Sequence, residues 1–297
     1  MSINLPSHYV QQFATNIQLL LQQKGSRLRN TVMVGNHTGK QASPVDQIGS
    51  IEMQAVTSRF APMGRVDAAV DRRWVFPSDF DLPQMIDNLD KLRMLTDPNS
   101  AYVQNAVAAA GRKFDQLILA AAIGTAKTGE TGSTSTVLPS GQKIAVSFGA
   151  AGDVGLTFAK IREAKRLLMA ADVDIDSDPL YLPVGATQHD NLLSEIQITS
   201  LDFQDKPVLV DGKVTRVLGV NIIHTELASA TAQQSSGDVL LAMYAKSGMH
   251  LGIWNDITTD ISQRKDIQSL PWQAYVQMTA GATRLEEEKV VQIACNI

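Results

Sequence analysis

The chain has 297 residues, of which 44% are hydrophobic and 5% aromatic, and its formal net charge is −4. This length allows one large or two medium domains, and the small net charge gives no indication of nucleic-acid binding over the whole chain. One cysteine excludes an internal disulfide framework, no apolar run reaches the ~18 residues that span a membrane, and the first residues do not have the pattern of a signal peptide.

Residues 1–45 carry basic side chains and no acidic ones, namely Lys24, Arg27, Arg29 and Lys40. Apolar residues at helical spacing predict a short amphipathic helix near residues 9–23; they are Phe13, Ile17, Leu20 and Leu21. The polar, Gly-rich residues that follow predict an extended arm. Four positive charges are few, so two interpretations stay open: a solvated tail, or an arm that lies on a neighbouring subunit or near nucleic acid.

Residues 46–76 predict a β-hairpin that turns at Pro62-Met63-Gly64. Both strands mix apolar and charged residues, so neither face can be fully buried within its own domain. An isolated hairpin is marginally stable in water, and we therefore expect a partner surface to cover this one.

Residues 97–126 predict a long helix, because apolar side chains return every three or four positions. Asp97 is the expected N-cap, Pro98 the first helical residue, and Gly124 with Gly129 the stop. The pattern buries Phe114 and Leu117. It leaves a wetter face formed by Gln104, Asn105, Arg112, Lys113, Asp115 and Gln116. At ~1.5 Å per residue such a helix is ~36 Å long, enough to cross a domain. Residues 77–96 predict a strand or loop and a short helix before it.

The remaining residues predict an α+β domain with mostly antiparallel strands. Thr157 is the expected N-cap of a second helix, whose buried side chains are Ile161, Ala164, Leu167 and Leu168. A short strand over 181–185 and a helix within 187–200 follow. Asp211-Gly212 indicates a turn between β-rich runs at 208–210 and 214–218. Further strands are expected in 238–254 and 271–297.

Motifs for catalysis or cofactor binding are not found. The Gly, Ser and Thr-rich residues 127–153 lack the Gly-Lys-Ser/Thr ending of a phosphate-binding loop. His189 beside Asp190 is the best candidate for a metal ligand or general base, but such a pair is more typical of an ordinary helix surface. Cys295 lies in an apolar strand, where an inert buried thiol is expected. Glu286-Glu287-Glu288 is expected to be solvated. We therefore predict no enzyme, no metal and no cofactor.

The order of elements from Gly155 onward resembles that of the major capsid proteins of tailed double-stranded-DNA bacteriophages, which have the Hong Kong 97-type fold. Residues 156–174, 181–193 and 198–226 carry the resemblance. Its most specific parts are Thr-Ser-x-Asp at 199–202, Gly-Lys-Val at 212–214 and Leu-Gly-Val at 218–220. Gly-Ala-x-Arg at 281–284 resembles the turn before the last strand of these proteins. With the arm, hairpin and long helix, the resemblance covers essentially the whole chain.

The resemblance implies four structural parts. They are an N-terminal arm (1–45), an extended loop formed by the β-hairpin (46–75), a peripheral domain that holds the long spine helix (76–152 and 254–282) and an axial domain (153–253 and 283–297). The arm and loop would reach over the neighbouring subunit. The residues expected to make inter-subunit contacts from the extended loop are Arg59, Phe60, Met63 and Arg65.

The resemblance also implies self-assembly into pentamers and hexamers of an icosahedral shell that encloses double-stranded DNA. The shell would be part of the virion and would assemble in the host cytoplasm without a membrane. Only about forty residues precede the hairpin, so a separate scaffolding protein is expected, with portal and decoration proteins as further partners. Contact with packaged DNA would be non-specific. An encapsulin-type nanocompartment shell, which shares the fold and binds a cargo enzyme, is the alternative.

Overall fold

A computed structural model describes residues 22–39, 43–56, 58–60, 64–86, 99–195, 212–230, 234–235, 237–268 and 270–296. The chain divides into two compact units. The first comprises the described parts of 1–26, 79–113 and 255–279, and the second those of 27–78, 114–254 and 280–297. Most of the helix predicted near residues 9–23 lies outside the described residues.

The helices of the described residues are α1 (Asn99–Ile123), α2 (Phe158–Ala170), α3 (Ala186–Leu193) and α4 (Leu227–Ala230). Helix α1 confirms the predicted long helix. It ends immediately before Gly124, whose N–H donates to the carbonyl of Ala120 at 2.9 Å. The expected N-cap, Asp97, and Pro98 lie outside the described residues.

The burial of α1 differs from the sequence pattern at two positions. Phe114 is fully buried as predicted, but Leu117 is only half-buried. Asp115, expected on the wetter face, has no exposed surface. Its two carboxylate oxygens accept the backbone N–H groups of Arg27 and Leu28, each at 3.0 Å. The prediction was wrong for Asp115 because a distant segment supplies the donors that a buried carboxylate requires.

The strands are β1 (Met33–Asn36), β2 (Ser43–Ile48), β3 (Val70–Val75), β4 (Ser78–Ile86), β5 (Ala126–Thr128), β6 (Thr134–Thr136), β7 (Lys143–Ile144), β8 (Leu180–Val184), β9 (Arg216–Val217), β10 (Val220–His224), β11 (Gln234–Ser235), β12 (Asp238–Ala245), β13 (Met249–Gln263), β14 (Trp272–Arg284) and β15 (Val290–Asn296). Strands β8, β12, β14 and β15 confirm strands predicted in those regions. The predicted strand or loop after residue 76 is β4, and the short helix predicted next to it lies outside the described residues.

The second unit contains a seven-stranded mixed sheet. Its order is β7-β15-β12-β8-β10-β9, and β11 pairs with β12. Helix α2 packs on this sheet through Ile161, Ala164 and Leu168, which are fully buried as predicted, whereas Leu167 is half-buried. Thr157 is the N-cap, as expected, because its hydroxyl oxygen accepts the N–H of Lys160 at 3.4 Å.

Lys160, on the buried side of α2, is a charged residue with no exposed surface. Its ammonium donates to the carbonyls of Val154, Gly155 and Ala294 at 2.8, 3.0 and 2.8 Å. Burial lowers the pKa of this ammonium. The three acceptors join α2 to the preceding loop and to β15, which explains how the charge is accommodated.

One predicted turn is placed differently in the structure, and another lies partly outside the described residues. Strands β9 and β10 are joined by Leu218 and Gly219, whose φ angles of 51° and 82° suit a tight hairpin turn. Part of the turn predicted at Asp211-Gly212 lies outside the described residues. The turn predicted at 281–284 was wrong, because these residues continue β14, and the chain reverses after Arg284.

In the first unit, β14 lies between β13 and β4. Phe80 and Leu82 are half-buried, whereas Asp79 and Asp81 on the opposite face of β4 are exposed. The ammonium of Lys113 lies 4.7 Å from the centroid of the Phe80 ring. One face of this strand is therefore covered by the first half of α1. In the second unit, β1 pairs in parallel with the start of β13, from Met33 opposite His250 to Asn36 opposite Ile253.

We predict that Phe114→Ala destabilises the second unit by roughly 3–5 kcal/mol, because it removes a fully buried aromatic ring from a packed core. The matched control is Leu117→Ala on the same helix, where a half-buried side chain should cost less. Chemical unfolding of both variants measures the difference. Equal costs would contradict the central role of Phe114.

Candidate inter-subunit contact surface

The extended loop is held at its base by antiparallel pairing of β2 with β3. The register runs from Ser43 opposite Val75 to Ile48 opposite Val70. One more bond, from the N–H of Gly49 to the carbonyl of Ala69 at 2.7 Å, continues the pairing. Strands β5 and β6 complete a sheet of order β2-β3-β5-β6. The predicted hairpin is confirmed at this base. Beyond it, the described residues of the loop contain no strand.

The loop exposes an unusual number of large apolar side chains. Met53 and Phe60 are as exposed as in an extended peptide, at 102% and 101%. Among the described residues of the loop, the exposed large apolar side chains are Ile48, Ile51, Met53, Val56, Phe60, Val66 and Val70. Monomeric soluble proteins rarely display apolar side chains at this density, and such a surface indicates a protein contact.

Three of the four predicted contact residues, Arg59, Phe60 and Arg65, are among the described residues of the loop. Arg59 and Phe60 are exposed, and Phe60 has a left-handed backbone with φ 64°, which costs roughly 1–2 kcal/mol for a residue with a Cβ atom. Arg65 donates from Nε to Asp67 at 2.7 Å, an exposed pair that contributes little to stability. Met63 lies outside the described residues. The inter-subunit role of these four residues stays a prediction.

A buried ion pair fixes the base of the loop. Arg73, on β3, is buried and donates from Nη2 to Glu287 Oε2 at 2.5 Å. Only 14% of the Glu287 side chain is exposed, so the expectation that residues 286–288 are all solvated was wrong for this one. The amide of Gln47, on the paired strand, donates to the carbonyl of Leu285 at 2.9 Å.

Arg284 extends the ion pair to the end of α1. It has no exposed surface, and its Nη1 donates to the carbonyls of Ala122 and Gly124, both at 2.9 Å. Its Nη2 lies 3.6 Å from Glu287 Oε1. Burial lowers the pKa of the Arg284 guanidinium. We define Arg73, Arg284 and Glu287 as the buried triad. From the sequence, Arg284 was noted only as the last residue of the Gly-Ala-x-Arg motif, and its buried ion pair was not predicted.

The predicted basic residues of the arm differ in their surroundings. Lys24 is exposed, and Lys40 lies outside the described residues. The guanidinium of Arg27 donates to the carbonyl of His224, and that of Arg29 lies 5.2 Å from the centroid of the Phe114 ring. Two of the four charges therefore contact residues of their own unit.

Two histidines meet where β1 pairs with β13. The Nε2 atoms of His37 and His250 are 2.8 Å apart, and the Trp254 ring centroid lies 5.1 Å from that of His37. A Cβ atom on Gly35 would come within 2.7 Å of His250 Cε1, so a side chain at this position would displace the pair. Burial, followed by the effect of His37, lowers the pKa of His250 to about 4. Each histidine is isolated in sequence, so no sequence signal pointed to the pair.

The other chemical candidates are occupied or buried. Nε2 of His189 accepts the N–H of Val214 at 3.1 Å, and burial lowers the pKa of this imidazole. Cys295 is a buried thiol, as expected, and burial raises its pKa to about 12. Among the described residues, no group of three or more His, Cys, Asp or Glu side chains could hold a metal ion.

None of the helices within the described ranges is long and apolar enough to cross a membrane.

Comparison with known proteins assigns the chain to a class. A family model described as "Phage capsid protein" matches residues 5–297, so the chain belongs to the phage capsid protein family. It is a major capsid protein that forms a phage shell, and the encapsulin alternative is not favoured. The chain finds no match among curated proteins.

Solved capsid structures show the fold. The capsid protein of cyanophage P-SCSP1u is 16% identical, with 98% of this chain and 94% of that chain covered and a TM-score of 0.75. The capsid protein of cyanophage Pam1 is 13% identical, with 99% of this chain and 98% of that chain covered and a TM-score of 0.71. That of Ralstonia phage GP4 is 10% identical, with 100% of this chain and 98% of that chain covered and a TM-score of 0.70. The predicted Hong Kong 97-type α+β fold is confirmed.

We predict that Glu287→Gln destabilises the protein by about 3–5 kcal/mol, because it leaves two buried guanidinium groups without a carboxylate. The control is Glu288→Gln, an exposed neighbour whose replacement should stay within about 0.5 kcal/mol of the parent. Urea unfolding compares the two variants. A Glu287 variant as stable as the control would show that the buried triad does not stabilise the fold.

We also predict a pH dependence from His250. Its pKa in the folded protein, about 4, lies below the ordinary 6.5, so the folded state binds fewer protons between these values. Stability should therefore fall as the pH is lowered from 6.5 to 4. The loss should be on the order of 2 kcal/mol, since one pKa unit corresponds to about 1.4 kcal/mol and residual solvent contact reduces the effect.

The measurement is urea unfolding at several pH values for the parent and for His250→Gln. The variant retains a hydrogen-bonding side chain but cannot take up the proton, so its curve should be flatter over this interval. Parallel curves for the two proteins would contradict the assignment.

Proposed function

We propose that this capsid protein builds the icosahedral shell of a tailed phage that encloses double-stranded DNA, with pentamers and hexamers joined through the extended loop. The observation that carries the proposal is a loop with exposed apolar side chains on a base held by the buried triad. Membership of the phage capsid protein family supports it.

The loop combines two properties that favour assembly. Its base is fixed by an ion pair away from water, so the direction in which the loop leaves the unit is constrained. Its outer part has no core of its own within the described residues. Fully burying one Met or Phe side chain contributes roughly 1.5–3 kcal/mol, of which association entropy consumes a part. A modest surplus at each contact, repeated around the shell, favours closure.

Charged side chains would set the register of the contact. In our proposal Arg59 and Arg65 meet carboxylates of the neighbouring subunit, while Phe60 and Met63 fill apolar surface. Each buried or half-buried charge pair would contribute roughly 1–3 kcal/mol. Such a contact joins different surfaces of two copies, and heterologous contacts close into rings. The peripheral and axial domains, with the boundaries expected from the resemblance, would form the body of each subunit.

Further partners follow from this assignment. We propose a separate scaffolding protein, portal and decoration proteins, and assembly in the host cytoplasm. Contact with packaged DNA would be non-specific and sensitive to salt, with Lys24 as an exposed basic residue of the arm. The function would be structural, without catalysis.

The test replaces residues 50–69 with a Gly-Ser linker of equal length and keeps β2 and β3. Because no described part of the replaced segment forms a strand, the cooperative melt should be largely retained. Closed particles should be lost, since the replaced residues supply the contact. Sedimentation and electron microscopy measure assembly, and thermal unfolding measures the fold.

A matched variant has a Gly-Ser linker of the same length in which Met53, Arg59, Phe60 and Arg65 are restored at their own positions. It should recover part of the assembly. Closed particles formed by the plain linker would refute the role of the loop, whereas loss of the cooperative melt would show that the loop belongs to the core.

A further inference from the structure

Two facing glycines make room for the histidine pair beside β1 and β13. Gly35 and Gly252 stand directly opposite each other in the register of the two strands. A Cβ atom on Gly35 would lie 2.7 Å from His250 Cε1, and one on Gly252 would lie 2.6 Å from His37 Cδ2. A side chain on either strand would therefore displace the imidazole beside it. The backbone of the second unit is shaped to hold both rings at this place.

The two imidazoles face each other through the nitrogens that bind metals. Nε2 of His37 and Nε2 of His250 are 2.8 Å apart. At this separation one nitrogen donates its proton and the other accepts it with a lone pair, so two ring nitrogens share one proton. The Trp254 ring packs against His37, with the two centroids 5.1 Å apart, and limits how this imidazole can turn.

A pair of imidazoles is a donor set that divalent transition metals prefer, Zn²⁺, Ni²⁺ and Cu²⁺ among them. Zn²⁺ binds imidazole nitrogen at ~2.0–2.1 Å, so two such nitrogens on a tetrahedral ion lie roughly 3.3 Å apart. The pair would need to open by about 0.5 Å from its present separation. His37 can make this movement, because it is half-buried and follows the last residue of β1. His250 is buried within β13 and fixes the second ligand.

We propose that His37 and His250 form a binding site for a divalent transition-metal ion. The ion takes the place of the shared proton, so both Nε2 lone pairs bind the metal and each ring carries its proton on Nδ1. The ring that donated from Nε2 only changes its tautomer. Burial lowers the pKa of His250, so this ring is neutral at pH 7 and has no proton to release before it binds. Water completes the coordination shell, since the described residues offer no set of three ligands.

A metal at the histidine pair would join β1 to β13 and is independent of the proposed shell function. The pairing of these strands covers four residues of β1, from Met33 to Asn36. The bound ion would add a link between the strands immediately after the last of these pairs. The sequence predicted no metal, because 213 residues separate the two ligands and neither lies in a metal-binding motif.

Binding of Zn²⁺ to the purified full chain tests the proposal. The site variants are His37→Gln and His250→Gln, each of which removes one ligand and keeps a hydrogen-bonding side chain. The matched control is His224→Gln, from another histidine contact, in which the ring centroids of His189 and His224 are 5.6 Å apart. Nε2 of His189 already accepts the N–H of Val214, so that contact does not offer two free ring nitrogens.

Equilibrium dialysis should give equal Zn²⁺ affinity for the parent and the control, and a loss of at least about tenfold in both site variants. Zn²⁺ should also raise the melting temperature of the parent, whereas Mg²⁺, which prefers oxygen ligands, should not.

X-ray absorption of the Zn²⁺-loaded parent should show two imidazole ligands, and this measurement needs no variant to fold. Three results would each overturn the proposal: no Zn²⁺ binding by the parent, unchanged affinity in the site variants, or bound Zn²⁺ without two imidazole ligands.

Discussion

The buried triad is the interaction on which the candidate contact surface depends. One carboxylate, Glu287, serves two guanidinium groups, and each guanidinium belongs to a different element of the second unit. Arg73 lies at the base of the loop, and Arg284 holds the last carbonyls of α1. Because a buried charge without its partner is strongly destabilising, the elements cannot separate independently. The direction of the loop and the end of the helix are therefore fixed together.

This arrangement explains how a folded subunit can carry so much exposed apolar surface. The loop residues contribute little to their own unit, so their sequence is free to serve another surface. The loop is held at its base through pairing of β2 with β3. Gly281 allows the chain to pass close to this base, because a Cβ atom there would lie 2.1 Å from the carbonyl oxygen of Phe76. Different residues therefore stabilise the fold and form the candidate contact surface.

Local patterns predicted the elements better than the polar contacts between them. The sequence predicted the helices α1 and α2, the N-cap at Thr157 and the hairpin of mixed apolar and charged residues. Each of these was predictable because its signal lies within a few neighbouring residues. Asp115, Lys160 and Arg284 were not, because each has at least one partner far away in sequence, at a separation of 87, 134 and 160 residues respectively. A charged residue in a helical pattern is assigned to the wet face unless its partner is known. The loop was predicted from its composition, whereas the inter-subunit contacts that we propose for it would require a second copy.

The carboxylate of Asp115 has a consequence for how the sequence of the arm can vary. It recognises the backbone N–H groups of Arg27 and Leu28, and those groups are common to nearly all residue types. Substitutions at Arg27 that keep the backbone path would leave both bonds intact, whereas proline at either position would remove a donor. Natural variation should therefore be freer at Arg27 than at Asp115, since the helix holds the path of the arm and not the identity of that residue.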